Sequence, residues 1–187
     1  MKRALLIMAV MLLLPGVAAA QSTVGIYFEG AGVMHYEPVT DAFFTGYIYM
    51  HNADYYVTGI EYQLQTPLDP SHALIMLGPV TYPDNSTLQI GDPFAGHTVT
   101  YWPPLNGFIP GYNLLCTISF YAVAGCDQGL ATDFPMVIGP HPDTGELRAT
   151  YYPDNLYFYP AGLTSILCPE QTGVEEESWG AIKSLYR

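Results

Sequence analysis

Apolar and polar side chains alternate with a period of two residues between residues 113 and 124. Such alternation is typical of a β-strand that buries one of its faces. We therefore predict a central strand in this stretch, with one face in the core. The side chains expected on that buried face are those of Leu114, Cys116, Ile118, Phe120 and Ala122.

Shorter stretches of the same kind lie on both sides of this strand, and turn-forming residues separate them, as at Asn52-Ala53-Asp54 and Pro153-Asp154-Asn155. Long stretches with the apolar period of a helix are missing. About eight to ten short strands predict an all-β fold, a two-sheet antiparallel β-sandwich. The other predicted strands are residues 23–28, 42–51, 56–65, 73–77, 86–90, 98–102, 133–138, 146–151 and 156–159.

The alternation in residues 56–65 assigns each side chain of that strand to a face. The face expected to be buried carries Tyr56, Thr58, Ile60, Tyr62 and Leu64. The face expected to be solvated carries Val57, Gly59, Glu61 and Gln63.

Residues 1–20 have the organisation of a secretory signal peptide. Lys2 and Arg3 precede an apolar run, a Pro-Gly break follows the run, and small residues end the stretch at Ala20. The apolar run is too short to span a bilayer as a helix. We predict that cleavage after Ala20 yields a secreted or cell-surface protein.

The composition changes after the predicted sandwich domain of residues 21–170. Residues 171–177 form an acidic linker, and residues 178–187 have the pattern of a short helix. Ser178 can cap this helix, and Trp179, Ile182 and Tyr186 share one of its faces. Because so short a helix is marginal on its own, it either packs on the sandwich or is recognised by another protein.

Charge narrows the range of partners. The chain has 17 acidic and 5 basic residues, a formal net charge of −12. All 17 acids follow the predicted signal peptide, whereas Lys2 and Arg3 lie within it, so three bases against 17 acids leave the exported chain at −14. Nucleic acids and anionic membranes are bound by basic surfaces. We predict an extracellular protein or a glycan as the partner, no nucleic acid and no membrane span.

Three cysteines in an exported chain are typical of one disulfide and one free thiol. Cys116 falls on the buried face of the central strand, whereas Cys126 follows that strand and Cys168 follows the last predicted strand. We predict a Cys126–Cys168 disulfide, which would stabilise the fold by roughly 4 kcal/mol in the chain-entropy model. The alternative of three reduced cysteines stays open, because pairing cannot be deduced from sequence.

The common signatures of catalysis are missing from the sequence. There is no Gly-x-Ser-x-Gly, His-Glu-x-x-His or Cys-x-x-Cys motif, and the five histidines are scattered. We therefore predict no catalytic residues. The rival hypothesis is a secreted carbohydrate-active hydrolase, in which at least two carboxylates converge in a cleft and one has a raised pKa. The candidates are Asp41, Asp54, Glu61, Asp127 and Asp133.

Calcium is the one cofactor for which the sequence offers a candidate site. Asp127 and Asp133 bracket a loop whose side-chain and backbone oxygens are the hard ligands that Ca²⁺ prefers. The spacing is not that of an EF-hand, so a solvated loop in which aspartates cap turns is the favoured interpretation.

Aromatic side chains are a further candidate surface, because planar rings stack on sugars and the chain has 16 tyrosines. Tyrosine is also a common strand residue that packs on cross-strand neighbours. A glycan site would need a flat row of three exposed rings. The candidate ligand-binding residues are Tyr47, Tyr49, Tyr151, Tyr157 and Tyr159, with Tyr101, Trp102 and Tyr152 as further exposed candidates.

Two segments resemble the cohesin-like and carbohydrate-binding β-sandwiches of bacterial extracellular proteins. Residues 57–64, Val-Thr-Gly-Ile-Glu-Tyr-Gln-Leu, are similar to a Gly-apolar-x-aromatic-x-apolar strand of these domains. Residues 111–120 are similar to a later strand that follows a glycine and ends in Ile-x-Phe. The resemblance implies a cohesin-like or immunoglobulin-like sandwich and, for cohesins, a non-catalytic receptor for a small helical dockerin.

Residues 175–187 resemble the short C-terminal tails of exported proteins in some Gram-negative bacteria, which implies a tag read by sorting machinery. A helix packed on the sandwich is the alternative. Taken together, the sequence predicts an exported, non-catalytic module for binding or structural roles at the bacterial cell surface. A glycan-binding module is the second candidate.

Overall fold

A computed structural model describes residues 22–51, 53–66, 74–107, 111–128, 130 and 133–169. These residues form thirteen strands, and none of them forms a helix long and apolar enough to cross a membrane. The strands are β1 Thr23–Phe28, β2 His35–Tyr36, β3 Ala42–His51, β4 Tyr56–Gln65, β5 Leu74–Thr81, β6 Ser86–Asp92, β7 Gly96–Asn106, β8 Tyr112–Ala122, β9 Phe134–Gly139, β10 Arg148–Tyr152, β11 Leu156–Phe158, β12 Ala161–Gly162 and β13 Thr164–Leu167.

The strands form two sheets that pack face to face, as predicted. The smaller sheet has five strands in the order β12-β1-β3-β8-β5. The larger sheet has eight strands: β11-β10-β4-β9-β13-β2 form one path, β7 pairs with β4, and β6 pairs with β7. Most pairs are antiparallel, but β1 with β12 and β13 with β2 are parallel, which the antiparallel prediction did not include.

Apolar side chains from both sheets meet in one core between them. Ile26, Ile48 and Phe120 come from the smaller sheet, and Ile60 and Phe134 from the larger one. Each is buried, and burial of such a side chain contributes about 1.5–3 kcal/mol. The core therefore holds the larger sheet in place and leaves its other face to the solvent.

Strand β8 confirms the predicted interior strand, since it lies between β3 and β5. Cys116, Ile118, Phe120 and Ala122 are buried as expected. The prediction for Leu114 is wrong, because Leu114 is only half-buried and Leu115 is buried instead. Cys116 pairs with Ile48 and Leu114 with Tyr49, so Leu115 is an extra residue in a bulge that reverses the alternation.

A second bulge corrects the prediction for β4. Ile60, Tyr62 and Leu64 are buried as expected, but Val57 is buried and Tyr56 is exposed. Thr58 is the extra residue relative to β10, because Gly59 pairs with Thr150 and Val57 pairs with Tyr151. Tyr56 therefore points away from the core, onto the solvent face of the larger sheet.

The disulfide between Cys126 and Cys168 forms as predicted, with the two Cα atoms 5.3 Å apart. Cys116 is the free, buried cysteine. The short strands β2, β12 and β13 were not predicted, and β10 begins at Arg148 because Glu146 pairs with His141 across a turn. The predicted signal peptide, linker and C-terminal helix lie outside the described residues and stay predictions.

Candidate binding face

The face of the larger sheet that points away from the core is the candidate site. Two rows of side chains cross it from β6 to β10 and β11. The first row is Leu88, Thr100, Gly59, Thr150 and Tyr157. The second row is Ile90, Thr98, Glu61 and Arg148. Three aromatic residues, Tyr56, Trp102 and Tyr152, lie beside the first row. We call the surface formed by the two rows and these three residues the outer face.

Large apolar side chains stand exposed at both margins of the outer face. On β6, Leu88 is 49% exposed and Ile90 is 57% exposed, and on β11 the ring of Tyr157 is half-exposed. Single exposed apolar residues are ordinary, but a group of them on one face of a sheet marks an interaction surface. The outer face has this character at both of its margins.

The centre of the outer face is a shallow depression floored by Gly59. Its volume is about 200 Å³, and threonines and the Glu61–Arg148 pair line its walls. A Cβ atom on Gly59 would crowd the Thr150 hydroxyl, so glycine keeps the floor low. The depression offers hydroxyl and charged groups between two apolar margins.

Arg148 is the one lysine or arginine in the part of the chain that the structure describes. Its Nε donates to Glu61 Oε2 at 2.8 Å and its Nη2 donates to Oε1 at 3.2 Å. Its Cζ lies 4.5 Å from the centre of the Tyr157 ring, a cation–π contact. Hydrogen bonding to Glu61 raises the pKa of Arg148, so the guanidinium stays charged and fixed in orientation.

An aromatic cleft lies at one end of the outer face. Tyr56, Trp102, Pro104 and Tyr152 line a volume of about 230 Å³. The rings of Trp102 and Tyr152 are 5.9 Å apart and inclined by 71°. All three aromatic side chains are substantially exposed, Trp102 at 59%. The cleft therefore presents aromatic rings, and almost no other groups, to the solvent.

The predicted ligand-binding tyrosines do not form one row. Tyr47 and Tyr49 lie on the outside of the smaller sheet, where the rings of Tyr27 and Tyr112 pack edge-on against Tyr49. On the other sheet, Tyr157 belongs to the outer face and Tyr159 is exposed just after β11, whereas Tyr151 stacks on Tyr55. Tyr101 is buried, and its hydroxyl donates to Leu115 O.

The loop proposed for calcium has a structural role in the described residues. Asp127 Oδ1 accepts hydrogen bonds from the backbone and side chain of Thr40, which lower the pKa of Asp127. The Thr40 hydroxyl in turn accepts from Gly125 N. Asp133 has a left-handed backbone and its amide donates to Cys168 O. Within the described ranges, no three His, Cys, Asp or Glu residues are close enough together to hold a metal ion.

The candidate carboxylates of the hydrolase hypothesis are distributed over different elements. Asp41 accepts a hydrogen bond from the Tyr121 hydroxyl beside the smaller sheet. Glu61 binds Arg148 on the outer face, and Asp127 holds Thr40. Each of these three thus has its own local hydrogen-bond partner. None of these bonds links two of the five candidates into a pair suited to general acid–base work.

A buried polar network runs through the core beneath the outer face. His97 is fully buried, with Nδ1 2.7 Å from the Tyr62 hydroxyl and Nε2 2.8 Å from the Tyr82 hydroxyl. The Tyr62 hydroxyl also lies 3.2 Å from Cys116 Sγ. Burial lowers the pKa of His97 to about 4 and raises the pKa of the Cys116 thiol to about 12. Both groups are therefore neutral in the folded protein near pH 7.

No protein-family model matches the sequence, and no curated protein sequence matches it. Similar solved structures are cohesin modules. The sixth cohesin of scaffoldin B from Acetivibrio cellulolyticus, solved in complex with a dockerin, has a TM-score of 0.53 at 7% identity, over 80% of this chain and 99% of that chain. A type II cohesin domain from the cellulosome of the same organism has a TM-score of 0.50 at 10% identity, over 79% and 95%.

At these identities the likeness establishes the fold alone, and it confirms the predicted fold. The described chain is a cohesin-like β-sandwich. Sequence reasoning missed the apolar margin formed by Leu88 and Ile90, because their strand was predicted without a buried face to orient it. It also missed the His97 network, for which a histidine in a β7 stretch of alternating apolar residues was the only available indication.

Proposed function

We propose that this protein is an exported, non-catalytic module that binds a protein partner through the outer face. The observation that carries the proposal is the exposure of Leu88, Ile90 and Tyr157 on the same face of the larger sheet. Antiparallel sheets with one solvated face usually present polar side chains there. Large apolar residues on that face instead favour a surface that becomes buried in a complex.

The chemistry of the outer face matches that of protein interfaces. Aromatic residues and arginine are enriched at such interfaces, and a polar rim surrounds the apolar contacts. Arg148 is already oriented by Glu61, so a carboxylate or carbonyl of the partner would meet a charged donor that needs little further ordering. Thr98 and Thr100 add hydroxyls that donate or accept.

The class of partner is supported by the comparison with cohesins. One of the similar structures is a cohesin in complex with a dockerin, which is a protein partner. For this chain we infer only that the partner is a protein. We propose that the module lies outside the cell because residues 1–20 have the pattern of a signal peptide. The tail of residues 175–187 stays a predicted sorting tag, with a helix packed on the sandwich as the alternative.

The test is a capture experiment with paired variants of the chain from Gln21 to Arg187. A photo-crosslinking residue at Ile90 should link one partner protein from the host envelope, and that protein is then purified. Leu88→Asp with Ile90→Asp should weaken binding of the purified partner at least tenfold, because two charges would be buried at the contact.

The control is Phe43→Asp, which places one such charge at a residue 73% exposed on the smaller sheet and should leave affinity unchanged. Equal binding by the double variant and the unmodified chain would remove the outer face as the site. In parallel, fractionation of host cells followed by immunoblotting for this protein tests the predicted export.

A glycan-binding module is the second candidate, favoured by the exposed rings of Trp102, Tyr152 and Tyr157. A glycan array probed with the same chain tests it. Specific binding that Tyr157→Ala abolishes, with no crosslinked protein at Ile90, would favour a glycan over a protein.

A further inference from the structure

The aromatic cleft is built by an insertion in β7. Val57 of β4 pairs with Leu105 and Gly59 pairs with Thr100, so the four residues Tyr101 to Pro104 stand opposite the single residue Thr58. Prolines suit such a bulge, because they have no amide proton to donate to the sheet. The extra chain contributes Trp102 and Pro104 to the lining of the cleft.

Hydrogen bonds hold this bulge in one conformation. The amide of Trp102 donates to Asn85 O at 2.7 Å, and Asn85 Nδ2 donates to Pro103 O at 2.8 Å. On the other side, Tyr56 and Tyr152 are direct cross-strand partners. The rings of the cleft are thus attached to paired strands on two sides, so a ligand would not have to order them.

Charge around the cleft selects among the ligands that aromatic rings can bind. Asp54 and Asp154 are exposed and lie within two residues of Tyr56 and Tyr152. The chain carries a formal net charge of −12, and Arg148, the only lysine or arginine in its described part, is already bound to Glu61. A cation would therefore gain from the field of the protein, and an anion would lose.

The ring faces themselves attract cations. The negative face of tryptophan or tyrosine binds an ammonium or guanidinium group, and cages of several rings recognise quaternary ammonium. The outer face already contains one such contact, between Arg148 and Tyr157. A glycan, in contrast, needs several polar groups for its hydroxyls, and the side chains that line the cleft offer only the phenolic hydroxyls of Tyr56 and Tyr152 and the indole N–H of Trp102.

We propose that the aromatic cleft of Tyr56, Trp102 and Tyr152 is a cation-binding pocket that takes a basic side chain of the protein partner. This inference rests on the proposed function, because the pocket lies at one end of the outer face. It assigns the partner a lysine or arginine at the position that meets the cleft.

The experiment uses Trp102 as its own reporter. The chain has two tryptophans, so Trp179→Phe in the chain from Gln21 to Arg187 leaves Trp102 as the single indole. Choline chloride is titrated against 3,3-dimethyl-1-butanol, its neutral isostere, with sodium chloride as the ionic control. We expect a saturable change of Trp102 emission, with choline bound about fivefold or more tightly than the isostere.

Variants then locate the site. Tyr152→Leu should weaken choline binding at least fivefold, because it removes a ring face and leaves apolar volume. Tyr159→Leu, at an exposed tyrosine outside the cleft, is the matched control and should have no effect. Asp54→Asn with Asp154→Asn should weaken binding about twofold to threefold without altering any ring, in a salt-dependent way.

Each outcome separates this inference from the proposed function. Equal affinity for choline and the isostere, or no response to choline, would overturn the cation pocket while capture at Ile90 could still succeed. A response to cellotetraose without one to choline would indicate a glycan site. A specific choline response with no captured protein would keep the pocket and reject the protein partner.

Discussion

His97 is a fully buried imidazole whose two ring nitrogens are both occupied by tyrosine hydroxyls. A neutral imidazole has one donor and one acceptor, so one hydroxyl donates to the ring and the other accepts from it. Protonation would require both ring nitrogens to donate, and it would place a charge in the core. The folded protein therefore resists protonation of His97 more than the unfolded chain does.

This resistance predicts a loss of stability in mild acid. The pKa of His97 is about 4 in the folded state, against an ordinary value of 6.5. Because the unfolded chain binds the proton first, stability is complete above pH 6.5 and falls as the pH drops toward 4. Between pH 7 and pH 5 the free energy of unfolding should fall by about 2 kcal/mol, measured by urea denaturation.

The controls for this prediction are two glutamine variants. His97→Gln removes the titrating group and should flatten the pH dependence, although the variant itself is less stable. His35→Gln, at an exposed position of β2, should keep the full dependence. A pH dependence unchanged in His97→Gln would assign the effect to other groups.

At the scale of elements, the strands with a regular period of two were the ones that the sequence predicted well. Strands β3 and β4 have the predicted bounds. Buried and solvated side chains alternate over the length of β3, whereas in β4 they alternate regularly only from Ile60 to Leu64, beyond the bulge. The two bulges were not predictable, since one extra residue at Thr58 or Leu115 leaves no mark in the composition. Because of the bulge at Thr58, Tyr56 lines the aromatic cleft, whereas the sequence pattern predicted that it lies in the core.

Two further elements lacked any sequence signal. Strands β2 and β12 are two residues long and pair in parallel with distant strands, so their pairing depends on the finished sandwich. The candidate site had the same limitation. The sequence identified Trp102, Tyr152 and Tyr157 as exposed aromatics, but only the register across β6, β7, β4 and β10 brings Leu88 and Ile90 onto their face.

Strand β12 depends on a single glycine. Gly162 pairs with Val24 of β1, and a Cβ atom at Gly162 would overlap the carbonyl oxygen of Ile138 in β9. Gly162→Ala should therefore separate the two sheets at this edge and destabilise the fold by about 2–3 kcal/mol. Thermal and chemical denaturation measure the loss.

The control is Thr164→Ala, at an exposed position two residues later, which should change the free energy of unfolding by less than about 0.5 kcal/mol. An equally small effect of Gly162→Ala would contradict the prediction.

At the scale of the whole molecule, the chain is acidic, and its described residues form β-strands that one disulfide crosslinks. The disulfide joins the chain just after β8 to the chain just after β13. Both half-cystines also donate backbone hydrogen bonds to β2 and the residues just after it, Cys168 to Tyr36 O at the end of β2 and Cys126 to Pro38 O. One small region thus connects three distant parts of the sequence.

This connection has a mechanical consequence. A force that enters the domain through Cys168 passes across the sulfur–sulfur bond to Cys126, and it cannot peel β13, β12, β11, β10 and β9 away in turn. The bridge spans a sequence separation of 42 residues. While the disulfide is intact, these residues form a closed loop, so about 150 Å of extended chain cannot contribute to the extension under force. Single-molecule stretching should show that much additional extension after reduction, and an equal extension in both redox states would mean that the bond carries no load. A domain that is attached at one end and bound to a partner on its outer face would in this way behave as a short, stiff tether.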